Sequence, residues 1–97
     1  MATYIALSSF TDQGIRDVKN TVKRADGVKQ AAKKFGAEMT HIWWTLGNYD
    51  LVAIIEAKDE QSATAFALAV GMGGNVRTQT LRAFSRQEME GILGKLG

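Results

Sequence analysis

The patterning of this chain predicts an α+β fold, with four strands and two long helices in the order βαββαβ and a short helix at the C-terminal end. Three observations carry that expectation. Residues 40–57, THIWWTLGNYDLVAIIEA, place two runs of β-branched and aromatic residues around a Gly-Asn dipeptide, the composition of a β-hairpin. Residues 12–35 repeat apolar side chains every three or four positions, as a helix with one buried stripe does. Residues 59–74 repeat the pattern over a shorter span and finish in a cluster of glycines, which is how a helix commonly stops.

Taken in order, Thr3 to Ser9 is short, alternating and bounded by Thr11-Asp12, and is expected to be the first strand. Thr11 is placed to cap the first helix, because its hydroxyl can accept from an otherwise unpaired amide of the first turn. The stripe of that helix is Ile15, Val18, Val22, Ala25, Val28, Ala32 and Phe35, and Gly36 is its stop. Asp26-Gly27 weakens the helix and is the expected point of a bend or division.

In the hairpin, Gly47 is expected to take a positive φ at the first position of a two-residue turn. That register sets Thr45 opposite Asp50, Trp43 opposite Val52 and His41 opposite Ile54 on one face. Trp44, Leu51, Ile42, Ala53 and Ile55 fall on the other, where Trp44 is expected in the core. Asp59 caps the second helix, whose stripe is Ala63, Phe66, Ala67 and Val70, with Gly71, Gly73 and Gly74 at its end. Asn75 to Phe84 is a fourth strand with no strongly apolar alternation, which suits a sheet edge. Ser85 and Glu88 have the spacing of a capping box, and Met89, Ile92, Leu93 and Leu96 give the final helix an apolar face.

Right-handed crossovers put both long helices on one side of a four-stranded antiparallel sheet with the first and third strands central, a ferredoxin-like layout. The opposite face is then expected to show Tyr4, Ala6, Trp43, Val52 and Ile54. A monomer does not leave such a patch in water. The expectation is a homodimer formed sheet to sheet, with Trp43, Val52, Ile54 and Ala6 in its interface.

Length and composition narrow the rest. Ninety-seven residues make one domain, residues 1–97, and 45% hydrophobic with 23% charged residues is ordinary for a folded soluble chain. No run of about 18 apolar residues occurs, and the first residues lack the pattern of a secretory signal, so a cytoplasmic location without membrane association is the default. The absence of cysteine excludes disulfides and thiolate sites, and with one histidine no multi-histidine metal site forms within a chain. The +2 net charge comes largely from basic residues of the first helix interspersed with Asp12, Asp17 and Asp26. That is a solvated face, with no nucleic-acid-binding motif beside it.

Gly47-Asn48-Tyr49-Asp50, the run LVAIIEAKDEQSATAFALA after it and the stretch GNVRTQTLRAF resemble, in that order and spacing, the GYD domain family of the dimeric α/β-barrel superfamily. The resemblance implies a dimeric α/β barrel. Related folds serve as ligand-binding dimers, cofactor-free monooxygenases, isomerases and haem-using enzymes, while the family itself brings no settled activity, so the resemblance raises functions without choosing among them.

The residues with chemistry to offer are few. His41 is the one side chain that titrates near neutrality unaided, and it falls beside Trp43 on the expected interface face with Glu56 diagonal to it. It could act as acid, base or haem ligand, or simply be a hydrogen-bonded interface residue. Asp50 could act as a base if desolvated, or accept hydrogen bonds that pin the hairpin. Tyr49 could offer its hydroxyl to a ligand or pack against a helix end. Gly71-Met72-Gly73-Gly74 follows a helix and precedes a strand, the reverse of a phosphate loop. A pocket between the sheets would have His41, Asp50 and Glu56 as its polar edge and Tyr4, Trp43, Val52 and Ile54 as its wall. The sequence thus favours a non-catalytic module, without cofactor or metal, binding a small apolar or aromatic molecule between sheet faces. An enzyme using His41, Trp43 and Asp50, and a purely structural module whose dimers associate further through edge strands, stay open.

Overall fold

Strand β1 (Ala2–Phe10) runs through the middle of the sheet in the computed structural model, which describes residues 1–97. It pairs antiparallel with β3 (Leu51–Ala57) on one side and with β4 (Val76–Ala83) on the other. Strand β2 (Ala37–Trp44) pairs with β3 and closes the far edge, giving the order β2-β3-β1-β4. The architecture is the expected ferredoxin-like α+β layout, with β4 at an edge. Helices α2 (Thr21–Ala32) and α3 (Glu60–Met72) cover one face. Their Ala32, Ala63 and Phe66 join Tyr4, Met39, Ala53 and Ile55 in the core.

The hairpin register is as the sequence predicts. Thr45 N donates to Asp50 O at 2.8 Å, and Trp43 pairs with Val52 and His41 with Ile54. Gly47 holds φ at 121°, a value that side-chain-bearing residues rarely adopt. Beyond His41 the ladder slips by one residue at Thr40, a β-bulge. Because one extra residue reverses the alternation, Met39 and Ile42 both face the helices.

Strand β1 faces the opposite way from the expectation. Tyr4 and Ala6 pair with Ile55 and Ala53, so they lie under the helices, and Ile5 and Leu7 pair with Ile54 and Val52 on the open side. The Tyr4 ring belongs beside Phe66, where the helix layer encloses it, and the branched aliphatics take the exposed face. Tyr4 and Ala6 are therefore removed from the open-face wall and interface.

Two further expectations need correction. The long helix divides ahead of α2, with α1 (Asp12–Arg16) and a 3-10 turn (Val18–Asn20) preceding it, while Asp26-Gly27 continues undisturbed. Asp17 causes the break: its carboxylate accepts from Asn20 Nδ2 at 2.7 Å and from Arg24 at 2.9 Å, competing with helical geometry. Ile15, Val18 and Val22 consequently remain exposed. Trp44 points to the helix side but is 41% exposed at the sheet margin, its Nε1 donating to Thr21 Oγ1 at 2.9 Å. Helix α4 (Arg86–Gly94) forms with its capping box, yet Met89, Leu93 and the following Leu96 are uncovered within the subunit.

Caps account for the other boundaries. Thr11 Oγ1 accepts from Gly14 N and Asp59 Oδ1 from Ser62 N, and Gly36 ends the 3-10 turn (Lys33–Phe35) that follows α2, in the left-handed region at φ 72°. At the end of α3 only Gly74, φ 84°, needs that freedom.

Candidate functional site

The open face of the sheet is built by alternation. Thr3, Ile5, Leu7 and Ser9 of β1, Val52, Ile54 and Glu56 of β3, His41 and Trp43 of β2, and Arg77, Gln79 and Leu81 of β4 share it through direct cross-strand pairing. Aliphatic side chains hold its centre. Trp43 is 49% exposed at one side, and the His41 ring stacks on it with centroids 5.3 Å apart and 14° between planes.

The polar candidates sit at separate stations on this framework. His41 Nδ1 is 3.0 Å from Thr40 Oγ1. Glu56 accepts the Thr3 hydroxyl, both carboxylate oxygens lying 2.9 Å away. Asp50 is committed to the backbone: its Oδ2 accepts from Phe10 N and its own N donates to Ser8 O, each at 2.8 Å. That ties the hairpin to β1. Asp50 and Glu56 lie six extended residues apart, about 20 Å, too far to serve one small ligand. Tyr49 reaches across the end of this face, its hydroxyl donating to Gln79 Oε1 at 2.8 Å.

A second feature lies on the helix side, where sequence reasoning did not look. Between the sheet and helices α2 and α3 runs a cleft of about 390 Å³ with 18 hydrophobic residues among its 26 lining residues. Tyr4 is in its wall. That residue is 5% exposed, and its hydroxyl is buried without a hydrogen-bond partner. Local periodicity does not signal the cleft, since its alanine floor comes from β1, β3 and both helices. No group of three or more His, Cys, Asp or Glu residues converges as a metal site, and no helix is long and apolar enough to cross a membrane.

Known proteins resemble this chain in sequence and in fold. The chain is 33% identical over 84 residues to the "Glutamine synthetase and cystathionine beta-lyase binding protein" of Thermus thermophilus, an alignment covering 86% of this chain and 88% of that protein. It also superposes on the crystal structure of a Thermus thermophilus protein with a TM-score of 0.56 at 23% identity, covering 88% of this chain and 95% of the other. That likeness bears on the fold alone. The GYD domain model matches residues 4–93. With nearly its whole length matched, the chain belongs to the GYD domain family.

Proposed function

We propose that this protein is a non-catalytic binding module that works as a homodimer, two sheets meeting open face to open face as a dimeric α/β barrel, and docks on other proteins in that form. The observation that supports it is the apolar open face, with Ile5, Leu7, Val52 and Ile54 central and Trp43 and Leu81 exposed beside them. A contiguous apolar surface marks a recognition site on a folded domain, and one presented by two copies becomes self-complementary under a two-fold axis. The uncovered face of α4 supports the same reading. The chain is elongated, with a radius of gyration of 14.6 Å, against roughly 12.5 Å for a compact chain of this length.

Docking on proteins follows the name of the Thermus thermophilus relative, so glutamine synthetase and cystathionine beta-lyase are the first partners to test. A second reading, a small aromatic molecule held between the sheet faces, is favoured by the stacked His41–Trp43 pair. Light scattering tests the assembly. The wild type should run at twice the 10.6 kDa subunit mass, and Ile54→Asp, which would bury an unpaired charge, should be monomeric. A wild-type monomer at micromolar concentration rejects the proposal. Capture of either enzyme by wild type but not by Ile54→Asp would tie docking to assembly.

A further inference from the structure

The geometry points to a small-molecule site inside each subunit, in the cleft between the helices and the sheet, for an uncharged and largely apolar ligand carrying one hydrogen-bonding group for Tyr4. The cleft is partly open to solvent, a concave site rather than a sealed void. It measures about 390 Å³, within the range of ligand pockets, and at roughly 30 Å³ per water-sized group it admits about a dozen non-hydrogen atoms.

The cleft follows from side-chain choice. Ala6 and Ala53 pair at the centre of the sheet, and Ala25 and Ala63 face the same space from the helices, where leucines would have filled it. Phe35 and Phe66 form a wall with centroids 6.1 Å apart and planes inclined by 42°, suited to an aromatic or alicyclic ring.

The polar groups define the ligand further. Ser8 and Thr78 hydroxyls satisfy each other at 2.8 Å, and the Arg24 guanidinium is held by Asp17 at 2.9 Å. No free charge remains for an ionic ligand. The Tyr4 hydroxyl does remain, buried and unpartnered, an unfavourable state that a ligand carbonyl or hydroxyl would relieve. This site is on the opposite side of the sheet from His41 and Trp43, so its occupancy is independent of sheet-to-sheet assembly.

The test uses the full chain and two probes of one shape: acetophenone, a planar aromatic with one carbonyl acceptor, and ethylbenzene, which lacks it. Proton NMR titration should show saturable binding of both, with acetophenone preferred about threefold to tenfold, the fold-change of one hydrogen bond. Intermolecular NOEs should reach Phe66 and Val28. In Tyr4→Phe the preference should vanish while ethylbenzene binding persists, and in Ala6→Leu, which fills the floor, both affinities should fall at least about fivefold. The wild-type NOEs decide the matter if Ala6→Leu does not fold. Absence of saturable binding, NOEs confined to Val52 and Ile54, or a preference that survives Tyr4→Phe would overturn the proposal.

Discussion

Replacing Gly14 by alanine should destabilise this protein although alanine is the better helix former. Gly14 is buried in α1 against the loop that leads into β4, and a Cβ built there lies 2.0 Å from Asn75 O and 2.9 Å from Asn75 C. Both atoms are backbone. Relief means moving α1 away from that loop by about 1 Å or more to regain ordinary contact. The movement would pull on Thr11 N to Asn75 O at 3.1 Å, Thr11 Oγ1 to Gly74 O at 2.5 Å, and Gln13 Nε2 to Gly73 O at 3.1 Å. Losing these three bonds at about 1 kcal/mol each, offset by the ~1 kcal/mol that alanine gains over glycine in a helix, leaves a net loss of about 2 kcal/mol. Gly27→Ala is the control. That residue lies in α2 with nothing within 4 Å of its added Cβ, and the substitution should stabilise by about 0.5–1 kcal/mol. Urea unfolding followed by circular dichroism measures both. A Gly14→Ala midpoint at or above that of wild type would refute the α1 contact.

Other perturbations test other parts of the structure. Trp44→Ala should cost about 1–2 kcal/mol, the loss of a half-covered ring and its bond to Thr21, rather than the ~3–5 kcal/mol of a core tryptophan; urea unfolding separates the two values. The Ser62 amide donating to Asp59, and the Ser85 amide donating to Glu88 with Arg82 alongside, hold both carboxyls below their usual range. Their stabilising effect is present above the ordinary carboxylate pKa, about 4, and is lost as pH falls through the lowered folded values. Asp59→Asn, which keeps an oxygen acceptor and removes the titration, should therefore flatten the acid limb of the melting-temperature profile.

The hairpin was legible because its instructions are local: Gly47 with φ 121°, flanking β-branched residues, and a closure between Thr45 and Asp50 that sets the pairs as far as His41. The facing of β1 was not. Tyr4-Ala6-Ser8 and Ile5-Leu7 are both acceptable buried alternations, and the choice rests on Ala6 meeting Ala53, a partner 47 positions away in the chain. Asp17 divides the first helix through side-chain bonds that periodicity does not register. Trp44 looked like core by alternation, but a strand's last residue lies where the helix cover runs out. The open-face positions of His41, Trp43, Val52 and Ile54 followed from the hairpin register. The cleft beside Tyr4 did not, because it is defined by what four separated segments leave unfilled.

The bulge at Thr40 bears on how far such molecules can pile up. Strand β2 is a free margin of the sheet, and a straight margin offers its row of amides and carbonyls to any strand that arrives, including the same strand of another copy. At Thr40 that row is interrupted and the strand turns, so a second β2 laid alongside could match it above the kink or below it but not along its length. Strand addition at this margin is therefore expected to stop at the kink. Deleting Thr40 would straighten it, and the expected result is slow fibril formation, read as thioflavin fluorescence, by a chain whose interior packing is otherwise unchanged.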